Sequence, residues 1–324
     1  MVYGPTYVFF GFWMTTVAEL GEVGLIRRIA RRLGSHASVV VGVGDDTAVL
    51  RRPDRASDRL LFASDMLVEG VHFTQAGVPP EWIGWKAMAS NISDIAAMGG
   101  RPTHAVVSVG MPASTPMRVA DGLSRGLIRC AKRFGVAIVG GDTVRAPQLV
   151  VDVAILGIAR HDRVTLRSDA RVGDRVFVTG RLGGSLRSGR HARFIPRLTE
   201  SQWLIRHVPI HAMMDLSDGL ASDSWQIARA SRVTLRIDEA RVPVSRAARQ
   251  ADGKSPTWHA LMDGEDFELL FTVPNSAVRR LPRAIGRVPL SEIGVVRRGG
   301  PSVELVRRDG RLVPLKLEGF RHFS

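Results

Sequence analysis

Along this chain, apolar residues gather in short runs that end in glycine and carboxylate. Ser38-Val39-Val40-Val41 leads into Gly42-Val43-Gly44-Asp45-Asp46, and Leu60-Leu61-Phe62-Ala63 leads into Ser64-Asp65. Val136-Ala137-Ile138-Val139 meets Gly140-Gly141-Asp142, and Ala212-Met213-Met214 meets Asp215-Leu216-Ser217-Asp218. An apolar run of this length, bounded by turn residues, reads as a buried strand. Four strands therefore deliver acids at the same kind of edge. One aspartate beside a glycine is ordinarily a turn or cap residue. Four with the same grammar point to a shared site.

Helical spacing fills the gaps. Residues 19–33 place Leu20, Val23, Ile26 and Ala30 on one face, closed by Gly34. Residues 80–98 predict a second helix, stopped by Gly99-Gly100 and Pro102, on which Ile83, Ala87, Asn91 and Asp94 share a side. A third follows Pro116, with Val119, Leu123, Leu127 and Cys130 inward and Gly135 at its end. Further strands are predicted over 47–50, 105–109, 150–158, 175–179 and 267–273. A helix is predicted over 220–230, with Ser217 and Asp218 at its start, where free N–H groups favour anions. The C-terminal fifty residues read as short strands and turns. The elements alternate without the regular short period of a doubly wound sheet. The expected class is α+β, two domains each with a sheet covered by helices on one face. Polar residues near 160–170 set the expected boundary, giving domains over 19–160 and 161–324.

Composition changes this picture little. A length of 324 residues suits two domains. The net charge of +14 comes from 45 basic and 31 acidic residues, scattered without any run of five or six. It reads either as an arginine-rich proteome or as attraction of anionic ligands. Aromatics make up 6% and do not interleave with clustered basic residues, which argues against a nucleic-acid binder. Cys130 is the only cysteine, so a disulfide framework and a cysteine metal site are excluded, and a buried, inert thiol is expected. A reducing cytoplasm fits. The apolar stretch 7–14 is far shorter than the ~20 residues that span a bilayer, and it lacks signal-peptide flanks. Residues 1–18 are expected to be an N-terminal extension, with Met14 as the natural start and no membrane partner.

The candidate chemistry lies in Asp45, Asp46, Asp65, Asp94, Asp142, Asp215 and Asp218. None has a histidine at zinc spacing, and all-oxygen ligands select hard cations, Mg²⁺ or Mn²⁺. Mg²⁺ takes only one or two protein carboxylates and completes its shell with water and phosphates, so seven acids imply about three or more ions held with a polyphosphate. Phosphoryl transfer from ATP is the natural reaction. No Gly-x-x-x-x-Gly-Lys-Ser/Thr loop and no kinase His-Arg-Asp loop is present, so another ATP-binding fold is required.

Six blocks carry a family resemblance: Gly44-Asp45-Asp46; residues 65–73, Asp-Met-Leu-Val-Glu-Gly-Val-His-Phe; residues 91–99, Asn-Ile-Ser-Asp-Ile-Ala-Ala-Met-Gly; Gly140-Gly141-Asp142-Thr143; Leu216-Ser217-Asp218-Gly219-Leu220; and Gly264-Glu265-Asp266-Phe267-Glu268-Leu269. In order and spacing, from about Leu20 to Phe323, they resemble the thiamine-monophosphate kinase family, within the superfamily of aminoimidazole ribonucleotide synthetase. The resemblance implies mixed sheets, a homodimer built through the N-terminal sheets, and ATP in a cleft near that interface. It implies transfer of the γ-phosphoryl group of ATP to thiamine monophosphate, giving thiamine diphosphate, with several Mg²⁺ ions. By position, Asp46, Ser64, Asp65, Asp94, Asp142, Asp215 and Asp218 match metal ligands. Gly141, Asp142, Arg167 and Ser217 match nucleotide contacts, and His72, Glu265 and Phe320 match contacts to the thiamine phosphate. Ser124 stands where the family often has a tyrosine near the adenine, which leaves the base preference open.

The same superfamily includes enzymes that use a reactive N-terminal or C-terminal cysteine, and Cys130 is neither. A phosphate monoester has a second pKa near ~6, so its attacking oxygen is mostly deprotonated at neutral pH. No general base is then required, in keeping with the lack of an obvious His–carboxylate pair. Trp82 and Trp85 read as packing, not ligand contacts.

Overall fold

The structure, a computed structural model, describes residues 39–41, 45–51, 57–249 and 252–316. The expected helix over 19–33, the extension over 1–18, Gly42–Gly44 and Phe320 lie outside the described residues. Among those described, two mixed sheets account for the strands, the arrangement expected of an α+β chain.

The first sheet runs β1 (Val39–Val41), β2 (Ala48–Arg51), β3 (Asp58–Val68), β6 (Val150–Arg160), β4 (Arg101–Met111) and β5 (Ala137–Arg145), in that spatial order. Among the described residues of this sheet, β4 and β5 alone pair in parallel. Between β3 and β4 lies helix α1 (Pro80–Ala97), and between β4 and β5 lies α2 (Met117–Phe134). Both helices cover one face. Along β3 this alternation is plain: Leu61 and Leu67 are buried, while Phe62 and Met66 on the other side are 46% and 53% exposed.

Helix α1 is apolar nearly all round, and it is buried nearly all round, with Ile83, Met88, Ile92 and Ile95 fully enclosed. It lies against α2 so closely that the crossing admits only glycines. A Cβ at Gly84 would stand 2.1 Å from the Leu123 carbonyl oxygen, and one at Gly126 would stand 1.9 Å from that of Glu81. Helix α2 ends as predicted at Gly135, with φ +71°.

The second sheet has the order β14 (Leu312–Pro314), β13 (Ser302–Val306), β9 (Thr234–Asp238), β12 (Val288–Arg297), β7 (Arg175–Thr179), β10 (Leu269–Val273) and β8 (Met213–Asp215), with β11 (Ala284–Ile285) on β12. Its helices are the short α3 (Ser185–Ser188) and α4 (Arg190–Arg193), then α5 (Leu198–His207), α6 (Leu220–Ser231) and α7 (Pro256–Met262). The pattern did not predict α5, whose polar face of Thr199, Glu200 and Gln202 hides its period. Stacked Phe177 and Phe271 anchor a core that also takes Ala97 from α1.

Two predicted strand ends are corrected. Strand β3 does not stop at Ala63 but continues through Ser64-Asp65 to Val68, held by unbroken pairing with β6. Strand β5 likewise continues through Gly140-Gly141-Asp142 to Arg145. Gly141 permits this: with φ +154° it brings β5 against β4, where a Cβ would lie 1.9 Å from the Val107 carbonyl oxygen. Glycine here marks close approach within a strand.

Candidate active site

Three of the predicted acids meet. Asp46, from the turn before β2, Asp94, from the last turn of α1, and Asp215, at the end of β8, offer carboxylate oxygens within 4.8 Å of one another. Asp65 adjoins them from the helix-facing side of β3. Its N–H donates to Asn91 Oδ1 at 3.1 Å, and the charges of Asp46 and Asp94 act on it or with it. Asn91 and Asp94, predicted to share a helix face, thus serve one site.

Among the described residues, Arg167 is the cation that pairs directly with these acids. The Arg167 guanidinium pairs with Asp46 and lies 3.6 Å from Asp45, and the Arg167 N–H donates to Asp45 Oδ2 at 3.1 Å. Ser93 donates to Asp215 Oδ2 at 2.6 Å. Burial, then the charge of Asp46, pushes Asp215 up to about 8. Burial and Asp46 push Asp45 up to about 7 against the pull of Arg167, and burial with Asp65 and Asp215 raises Asp94 strongly. Among the described residues, Asp46 Oδ2, Thr47 Oγ and Arg167 Nε are buried with no hydrogen-bond partner. Buried polar atoms are almost always satisfied. An all-oxygen donor set with surplus negative charge and an orphaned carboxylate oxygen fits a hard divalent cation such as Mg²⁺.

The other predicted residues fall elsewhere. Ser217 and Asp218 precede α6, where the Asp218 N–H donates to the buried Asp223 at 3.1 Å. Ser64 projects from the opposite face of β3 to Asp65 and donates to Asp152 at 2.9 Å. Asp142 pairs across the sheet with Ser108, and Ser108 with Asp152, so Gly141 and Asp142 belong to β5 at the sheet's exposed edge. Ser124 is exposed and bonds its own helix at Ala120.

His72 and Glu265 converge through a residue the sequence reading missed. Lys86, on α1, donates to the His72 carbonyl oxygen at 2.9 Å and to Glu265 Oε2 at 2.5 Å. Burial draws its ammonium down from the ordinary value, and Glu265 opposes that shift. A signal existed: residues 80–98 carry only Glu81, Lys86 and Asp94 as charges in an otherwise apolar or neutral helix. The His72 Nδ1 accepts from the Val68 N–H at 3.0 Å, which leaves the proton of the neutral ring on Nε2. Glu265 and Phe267 have φ of +63° and +49°, rare for residues with side chains and costing about 1–3 kcal/mol each. Backbone bonds from Glu265 to Ser217 and from Phe267 to Leu216 hold the loop, as does Phe267 stacked on Phe194 at 3.8 Å. Trp85 is core packing, with its indole N–H on the Phe194 carbonyl.

Comparison with known proteins supplies the family. Residues 44–159 match "AIR synthase related protein, N-terminal domain", and residues 191–306 match its C-terminal domain. The chain is 39% identical to thiamine-monophosphate kinase of Rhodopirellula baltica, over 85% of this chain and 89% of that one. It is 35% identical to the Bacillus subtilis enzyme of that name, over 94% and 100%. A solved structure, "AaThiL complexed with AMPPCP and TMP", superposes with a TM-score of 0.83 at 32% identity, covering 96% of this chain and 99% of that one. Hydrogenase maturation protein HypE in complex with ATP, at 18% identity and a TM-score of 0.68, shares the fold alone. With both domains matched and relatives aligned almost end to end, the chain belongs to the thiamine-monophosphate kinase family and is a kinase.

Proposed function

We propose that the protein transfers the γ-phosphoryl group of ATP directly to thiamine monophosphate, giving thiamine diphosphate. The observation that carries this reading is the meeting of Asp46, Asp94 and Asp215 within 4.8 Å, with more acid than cation around them. The names of its relatives and the ligands of the AaThiL complex support the substrate pair. Asp46, Asp65, Asp94 and Asp215 would hold Mg²⁺, with Asp218 nearby in the chain. Bound there, several Mg²⁺ ions would screen the charge of the polyphosphate.

The chain's own residues bind and align. Arg167 and the N–H groups around Ser217 and Gly141 take the nucleotide phosphates. His72 meets the acceptor, and Glu265 accepts from its amine or faces its cationic ring. The acceptor oxygen is already ionised near neutral pH, so no residue need remove a proton. Catalysis is placement of two like-charged phosphates in line, with no covalent phospho-enzyme.

A homodimer in the cytoplasm completes the reading. The helix-free face of the first sheet bears exposed Phe62, Met66, Val106 and Val144, an apolar surface of the kind a second copy covers. Among the described residues no helix is long and apolar enough to cross a membrane. The deciding experiment is incubation with ATP, Mg²⁺ and thiamine monophosphate, followed by chromatography. Thiamine diphosphate formed mole for mole with ADP is expected. ADP without thiamine diphosphate, or no turnover, would refute the reading.

A further inference from the structure

Helix α1 buries two charges, and only Asp94 has been given a task. Lys86 lies eight residues earlier, about 12 Å along the axis. Its side chain is 1% exposed, so its ammonium reaches no ligand. A lysine is almost never enclosed to this degree without a partner. Its two partners come from different segments: the turn after β3, through the His72 carbonyl, and the loop before β10, through Glu265 Oε2. One ammonium therefore ties together the two residues assigned to the acceptor, and ties both to the helix that carries Asp94.

The bond also shapes what Glu265 can offer. Its side chain is 22% exposed, and Lys86 occupies Oε2. Oε1 accepts no hydrogen bond from the described residues, so it is the oxygen that faces outward. The left-handed backbone at Glu265 and Phe267 leaves this loop dependent on its tethers. Phe194 grips it at Phe267, and Lys86 grips it at Glu265.

We propose that Lys86 is the positioning residue of the acceptor site, fixing the His72 turn against Glu265 so that one charge-compensated carboxylate oxygen meets the acceptor's amine or cationic ring. This rests on the assignment of His72 and Glu265 to thiamine monophosphate.

The test is steady-state kinetics of Lys86→Met, Lys86→Gln, Lys86→Arg, Glu265→Gln and the Lys86→Met/Glu265→Gln double variant in the full chain. Lys86→Met is expected to raise the KM for thiamine monophosphate about ten- to a hundredfold, the worth of one hydrogen bond to a charged group. The KM for ATP should change less than about threefold. Because Lys86 acts through Glu265, adding Glu265→Gln to Lys86→Met should cost little more, whereas an unrelated structural role predicts additive losses. Equal rises in both KM values, or additivity, would overturn the proposal. If Lys86→Met does not fold, Lys86→Gln decides, and an acceptor KM within about twofold of the parent would overturn the proposal; Lys86→Arg, which keeps the cation, should stay nearer the parent. A parent chain that fails to phosphorylate thiamine monophosphate overturns the substrate reading, and this proposal with it. An active parent with undisturbed Lys86→Met and Lys86→Gln variants overturns the proposal alone.

Discussion

Two regions of this molecule bury carboxylates, and they treat them differently. Around the loop before β10, the buried acids Asp266 and Glu268 are both answered by arginine. Glu268, fully buried, takes two bonds of 2.6 Å from Arg197 and a third of 2.6 Å from Thr179. Asp266 takes the Gly183 N–H, the Ser185 hydroxyl and Arg190, all at 2.7–2.8 Å. Around Asp46, Asp94 and Asp215, by contrast, Arg167 is the one cation among the described residues that pairs with a group of acids, and Asp46 Oδ2 has no hydrogen-bond partner among them. Burying an unpaired charge costs several kcal/mol, so neither arrangement persists without compensation. The first is compensated by the protein itself. On the proposed reading, the second is left for a cation that arrives from solution.

This contrast can be broken most directly by removing charge. Asp94→Asn and Asp215→Asn should each lower kcat by about a hundredfold or more, as losses of transition-state electrostatics do. The metal-free melting temperature should hold or rise, because like charges repel. A fall in stability with turnover preserved, read by calorimetry beside the kinetic assay, would make these acids structural. The reverse signature belongs to the paired region. Arg197→Met should cost about 3 kcal/mol in denaturant unfolding, since it removes both guanidinium bonds from buried Glu268 and leaves Arg190 only at 3.6 Å, while the folded fraction keeps most of its turnover.

A smaller effect sharpens the boundary between the two faces of the first sheet. Asp65→Asn should reduce turnover more than Ser64→Ala, because Asp65 faces Asn91 and the acid group while Ser64 faces Asp152. If Ser64→Ala proves the more damaging, the phosphate site extends across the open face. The smallest effect concerns His259, whose ring nitrogens lie 3.0 Å from Asp252 and from Asp263. Burial lowers its pKa, but the two carboxylates outweigh burial and raise it above 6.5. Its contribution is thus complete below about pH 6.5 and fades as pH climbs through the raised value. His259→Gln should lower the melting temperature by about 2–4 °C at pH 6, with the gap closing in alkali. A gap that widens with pH would refute the pairing.

The elements that follow a single period were legible: α1, α2, β7 and the fold class came directly from apolar spacing. So did the acids Asp46 and Asp215, carboxylates at the ends of apolar runs, and Asp94, a carboxylate on the packed face of a helix, since each demands compensation. What escaped was set by partners distant in sequence. Whether a strand stops at Ala63 or crosses to Val68 depends on β6, ninety residues on. Which of Ser64 and Asp65 faces the acids depends on that same continuation. Lys86 stands isolated along the sequence, because Glu265, which explains it, lies 179 positions away.

The glycine crossing of α1 and α2 has a consequence for inherited variation. A single methyl at Gly84 or Gly126 would have to drive the helices apart by more than an ångström, since the carbonyl oxygens stand near 2 Å from where it would sit. Asp94 and Lys86 ride on the displaced helix, and a misplacement of about 1 Å can cost a hundredfold in rate. Alanine alleles at these two sites would therefore mimic loss of the reactive centre while leaving all its side chains intact. Sequencing the centre alone would miss them.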